Sequence, residues 1–156
     1  MNLFRPDVVF DCNILLQAIS RESGPAAAAL RLMEQNRIAL HISKPIVQEF
    51  RRTLDYPEIR QRNPQVTVQR IESFIARLLF RGVLWRNVPH VLHLTRDPND
   101  EPYLDLAAAT EADFLVTRDN DLFSLLTDHT ADAKAFRQRL PRLRILSPVD
   151  FLAAMS

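Results

Sequence analysis

Short apolar runs alternate with longer helical stripes along this chain, and the pattern predicts five strands separated by helices. Residues 8–10 are a β-branched and aromatic run, and 14–19 carry the spacing of a helix. Residues 26–35 predict an Ala/Leu-rich helix with Ala29, Leu30 and Met33 on one face, followed by a strand at 37–42. Ser43, Lys44 and Pro45 then form a helix start, with Ser as cap and Pro in the first turn. Ile46, Val47 and Phe50 give that helix its apolar face, and Tyr56-Pro57 ends it. The next helix is predicted over 65–80, with Val68, Ile71, Phe74, Ile75, Leu78 and Leu79 as its buried stripe. A third strand lies within 83–94, where Pro89 blurs its limits. An Ala-rich helix must begin near 99–101, because Pro102 is tolerated only in a first turn, and it runs through 112. A strand at 114–117, a short helix at 122–126 and a polar loop at 128–132 follow. A helix at 133–140, a strand at 143–146 and a helix at 148–155 capped by Ser147 complete the pattern. Strands alternating with helices predict a parallel sheet covered on both sides, and the lack of repeats or linkers predicts one domain over 1–156.

Composition narrows the class. At 156 residues and 47% hydrophobic content the chain can bury a full core without cross-links. The single cysteine, Cys12, excludes an internal disulfide and reads as a small buried residue rather than a nucleophile. The longest apolar runs fall far short of the ~20 residues that cross a membrane, and no charged-then-apolar leader opens the chain. These features predict a soluble, cytoplasmic protein with no membrane partner. Only Gly24 and Gly82 are present, which excludes a glycine-rich phosphate loop. The lone cysteine and the histidines 41, 90, 93 and 129 have no zinc-ligand spacing, and His90 and His93 read as surface or interface residues. Of 20 basic residues 18 are arginine, which suits bidentate phosphate recognition and equally suits codon bias in a GC-rich genome.

Charge is unevenly placed. Residues 97–132 hold ten Asp/Glu against one Arg, a local charge of −9 in a chain of net charge +1. Without a counter-cation some of these carboxylates repel one another. Residues 50–86 hold eight Arg, Arg51 and Arg52 among them, against three acids. This is either solvated helix surface or a nucleic-acid footprint. Asp11, Glu49, Asp100 and Asp119 stand at or near element junctions, Asp11 and Asp119 at the carboxyl ends of predicted strands, where open parallel sheets build their sites. A helix cap is the plain alternative for Asp11, and a solvated helix residue for Glu49. Oxygen-ligated cations such as Mg2+ or Mn2+ would let such acids stay ionised together, and such ions serve phosphodiester hydrolysis.

The order of these motifs carries a resemblance. Asp11-Cys12-Asn13 follows a first strand, Glu49 lies in the helix after the second, Asp97-Pro98-Asn99-Asp100 opens an Ala-rich helix, and 115–122 read Leu-Val-Thr-Arg-Asp-Asn-Asp-Leu. Together they resemble the PIN domain family over nearly the whole chain, most of all its branch of toxins related to VapC. The resemblance implies a three-layer α/β/α sandwich with a central, mainly parallel sheet. It implies a metal-dependent endoribonuclease, the toxin of a type II toxin-antitoxin pair, with Mg2+ or Mn2+ as cofactor, RNA as substrate, an antitoxin as partner and a homodimer as an assembly. Asp11, Glu49, Asp100 and Asp119 would be its catalytic, metal-holding quartet, with Asn13 and Thr117 orienting the first and last acids and Asp121 at the rim. Asp97 reads as a helix-entry residue. Arg51, Arg52 and Arg118 would meet nucleic acid, although Arg118 stands where this branch often has Gly and either adds a phosphate contact or narrows the entry. Cys12 stands where Thr is frequent, and Glu101 competes with Asp100 as ligand. Two other readings stay open: a nuclease of RNA processing or structured DNA, and a non-catalytic binding module whose acids are merely caps.

Overall fold

Strand β1 (Asp7–Phe10) is the middle of a five-stranded, all-parallel sheet of order β3-β2-β1-β4-β5. Successive strand residues face opposite sides, so the burial of Val8, Val9 and Phe10 in sequence means that the sheet is covered on both faces. β2 (Ala39–Ser43) is likewise buried at every position, whereas β3 (Val83–Trp85) is an edge strand with Val83 and Leu84 exposed. β4 (Phe114–Val116) and β5 (Arg144–Leu146) extend the sheet on the other side of β1. This computed structural model describes residues 4–95 and 97–156. The opening residues on which the absence of a leader was read lie partly outside that range.

The order places the reversal of winding between β1 and β4. From β1 the chain winds outward through β2 to β3, then returns to lay β4 on the other flank of β1. The carboxyl ends of those two strands therefore splay apart around a crevice, the standard ligand position in an open α/β sheet. β1 hands directly to α1 (Cys12–Ser20) through Asp11, whose backbone N–H donates to the Val116 carbonyl at 3.0 Å. α2 (Pro25–Glu34) packs on α1, and α3 (Lys44–Leu54) follows β2. The three-layer α/β/α architecture expected from the pattern and the resemblance is the one observed.

Four local differences have physical causes. A short helix, α4 (Pro57–Arg62), stands where no element was expected; it buries no residue, so it has no apolar stripe to read. α5 (Val68–Arg81) begins three residues later than predicted because the Thr67 side chain caps it, accepting from the Arg70 N–H at 3.1 Å. Phe74, Ile75 and Leu78 of its stripe are buried, but Val68 and Leu79 are exposed: the stripe is wider than the surface that covers it. Ser43 occupies the cap position of α3 yet its hydroxyl makes no cap bond and is buried without a partner among the described residues.

The remaining elements match their predicted places within a few residues. A 3-10 turn (Pro98–Asp100) leads into α6 (Glu101–Thr110), which packs on β1, β2 and α3. α7 (Asn120–Ser124) is capped by Asp119, α8 (Ala131–Arg139) by Thr130, and α9 (Pro148–Met155) by Ser147. Among the described residues no helix is long and apolar enough to cross a membrane.

Candidate active site

Three carboxylates meet at the crevice. Asp97, Asp100 and Asp119 each offer an oxygen within 4.8 Å of the other two. Asp119 arrives from the carboxyl end of β4; Asp97 and Asp100 arrive on the turn that opens α6. Asp100 stands at the N-cap of α6 but makes no cap bond with its side chain, which leaves the carboxyl group to the crevice. It is buried, and burial together with the charges of Asp119, Asp97, Asp11 and Asp121 pushes its pKa up from 3.8 to about 7.

Asp11 forms the floor. Its Oδ1 caps α1 by accepting the Asn13 N–H at 3.3 Å, and its Oδ2 accepts the Thr117 hydroxyl at 2.7 Å. Burial raises its pKa, Thr117 and Asn13 oppose the rise, and the charges of Asp119 and Glu49 reinforce it. Asp11 is thus a cap and a member of the acidic group at once. Thr117, fully buried, also accepts the Asp119 N–H at 3.0 Å, so one hydroxyl sets the positions of both acids. Asp119 Oδ1 in turn accepts the Asp121 N–H at 2.9 Å.

Glu49 is half-buried rather than solvated. Its Oε2 accepts the Tyr103 hydroxyl at 2.6 Å, and the same phenol oxygen accepts the Cys12 N–H at 3.3 Å. The buried Tyr103 therefore ties the carboxylate of α3 to the start of α1. The nearby Cys12 thiol is buried, and burial, with Glu49 and Asp11 beside it, raises its pKa to about 12, which makes it inert as a nucleophile at neutral pH.

Asp100 and Glu101 point in different directions. Glu101 Oε1 accepts the Leu94 N–H at 2.6 Å and its Oε2 lies 3.4 Å from His90 Nε2, away from the acidic group. Asp97 does cap its turn, accepting the Asn99 N–H at 3.1 Å, but it also joins the carboxylate cluster, which its reading as a helix-entry residue missed. Two acids three apart at a helix start were the available signal. Tyr103 had none, since its role depends on where Glu49 arrives. His90 and His93 are exposed, as the surface reading expects, and with Glu101 they bring ligand atoms within 4.8 Å of one another. Spacing among His and Cys alone does not show this, because the third group comes from α6.

Two cavities adjoin the acids and share Asp121. One is lined by Asp97, Asp100, Thr95 and Ser124, the other by Asn13, Gln17, Arg118 and Asp119. Asn13 and Arg118 are exposed there. Of the arginines on α3, Arg51 is engaged by Glu72 of α5 at 2.5 Å. At about 100° per residue it points roughly 160° away from Glu49, whereas Arg52 lies about 60° from Glu49 and is exposed.

Among the described residues no lysine, arginine or histidine forms an ion pair with Asp11, Asp97, Asp100 or Asp119. An all-oxygen donor set of this kind, with one carboxyl group whose pKa burial and like-charged neighbours raise, suits a hard divalent ion.

Comparison with known proteins extends the picture. A family model described as PIN domain matches residues 7–121. Among solved structures the chain is similar to VapBC2 from Rickettsia felis bound to a DNA fragment from their promoter, with a TM-score of 0.53 and 16% identity over 90% of this chain and 98% of that one. No curated protein matches.

Proposed function

The chain belongs to the PIN domain family, and on that premise we propose that it is a Mg2+- or Mn2+-dependent endoribonuclease acting as the toxin of a toxin-antitoxin pair. The observation that carries the reading is the meeting of Asp97, Asp100 and Asp119 beside Asp11 at the point where the sheet reverses its winding. The structural likeness to VapBC2 supports the toxin branch and, with it, an antitoxin partner.

Asp97, Asp100 and Asp119, with Asp11 beside them and Glu49 at the periphery, are the groups that would hold the ion. Such an ion, when bound, activates water and offsets the charge that develops on the leaving oxygen. The chain's own residues do the positioning. Thr117 holds Asp11 and Asp119 in one orientation, and Tyr103 keeps Glu49 turned inward. Arg118 lines the cavity beside Asp119, and Arg52 is exposed on α3 three residues after Glu49; guanidinium groups there would pair with RNA phosphates.

Cleavage of an RNA oligonucleotide with Mn2+ tests the reading. Asp119→Asn should cut at least ~100-fold more slowly than the parent. Parent-like cleavage by that variant would remove the acids from the mechanism. Induced expression tests the biological role: the parent arrests growth, and the small protein encoded beside it relieves the arrest. An active enzyme that leaves growth unaffected would instead be an RNA-processing nuclease.

A further inference from the structure

A second group of ligands lies outside the acidic crevice. His90 and His93 sit on the irregular segment between β3 and α6, and Glu101 is the first residue of α6. His90 Nε2 is 3.1 Å from His93 Nδ1 and 3.4 Å from Glu101 Oε2, and one ligand atom from each of the three residues lies within 4.8 Å of the other two. Ligands about 2.0–2.1 Å from a tetrahedral zinc ion stand roughly 3.3–3.4 Å from each other. The two shorter separations match that edge, and the imidazole rings are nearly perpendicular, at 83°.

The surroundings orient the ligands. Asp105 is buried, and its Oδ1 accepts the N–H groups of Val91 at 2.8 Å and Leu92 at 3.2 Å. Its Oδ2 lies 2.7 Å from His90 Nδ1, which must donate to it. In the neutral ring that leaves the Nε2 lone pair directed at His93 and Glu101. A carboxylate behind a histidine is the outer-shell arrangement that orients metal-binding imidazoles. Glu101 is anchored in the same way: Oε1 takes the Leu94 N–H, so Oε2 remains for the cluster. His90 is 45% exposed on its side chain, which gives an ion access and leaves room for a water as fourth ligand.

From this geometry we propose a zinc-class site formed by His90 Nε2, His93 Nδ1 and Glu101 Oε2. Two nitrogens and one carboxylate oxygen select a borderline ion such as Zn2+, with Co2+ as its spectroscopic stand-in, over the hard ions suited to the acidic crevice. The site would hold its ion with three protein ligands and an open fourth position. It clamps residues 90–94 to the first turn of α6, whose preceding residue, Asp100, points into the crevice, so the two consecutive carboxylates serve two different metals.

Titration of the chelator-treated full chain with Zn2+, and separately with Co2+, decides the matter. The parent and Asp119→Asn should each bind one Zn2+ tightly and give the visible absorption of tetrahedral Co2+. His93→Ala, which alters an exposed ring, should weaken Zn2+ binding at least ~10-fold and lose the Co2+ spectrum; Glu101→Gln, which keeps the acceptor for Leu94, should weaken it similarly. Parent-like Zn2+ affinity in both His93→Ala and Glu101→Gln overturns the assignment. So does a Zn2+ signal lost only in Asp119→Asn, or a parent that binds no Zn2+ because the two rings merely share a proton.

Discussion

Individual side chains in the crevice are held by single atoms, so conservative substitutions should separate position from charge. Tyr103→Phe removes the donor to Glu49 and leaves the Cys12 N–H without its acceptor in a buried place. We expect a loss of about 1–3 kcal/mol in urea unfolding, together with slower RNA cleavage as Glu49 loses its orientation. Asp100 yields the opposite sign. Its pKa lies near 3.8 in the unfolded chain and about 7 in the fold, so the folded state binds the extra proton between those values. Without divalent metal, stability should be highest below about pH 4 as far as this group is concerned, and should be lost as pH rises to about 7, by on the order of 4 kcal/mol. Asp100→Asn should flatten that slope, and saturating Mn2+ should abolish it. A metal-free melting temperature independent of pH over this window would show that neither burial nor the neighbouring carboxylates raise the Asp100 pKa. The same residues show how far sequence reached: Asp11, Asp100 and Asp119 announce themselves by standing at element ends, but Tyr103 and Asp97 gain their roles only from what lies opposite.

At the scale of elements, α6 is where two sites are joined, and both its ends are informative. Its C-cap, Glu111, has φ of 50°, the left-handed region in which a Cβ costs free energy. Glu111 is exposed, so Glu111→Gly should stabilise the protein by about 0.5–1 kcal/mol, read as a shift in the urea midpoint with unchanged slope. The junction of α5 and β3 behaves differently. A Cβ on Gly82 would stand 2.6 Å from the Leu78 carbonyl oxygen and 3.1 Å from that of Leu40, both backbone atoms. Gly82→Ala should therefore cost about 1–3 kcal/mol by forcing the helix off the edge strand. Periodicity located these helices because each buries a stripe. It passed over α4, which buries nothing, and overstated α5, because a sequence shows which residues are apolar but not how much surface is available to cover them.

For the whole molecule, charge is segregated along the chain around a nearly neutral total: an acidic segment supplies the crevice, and residues 50–86 hold eight arginines against three acids. Part of that basic charge is spent internally, since Arg51, Arg60, Arg70 and Arg77 pair with acids. RNA affinity should fall with salt. Arg52→Ala should lower it and reduce the slope of log K against log salt by roughly 0.7, whereas Arg51→Ala should change the slope little. Equal slopes for all three proteins would move the RNA path elsewhere. The sequence alone determined the α/β class, the five strands and the acids at the strand ends, because periodicity and chain punctuation are local properties of backbone and side chain. Only the tertiary structure decided which acids meet, that Glu101 turns to the histidines while Asp100 turns to the crevice, and that Tyr103 holds Glu49. Those outcomes depend on distances between residues far apart in the chain, and packing of the helices against the sheet sets them.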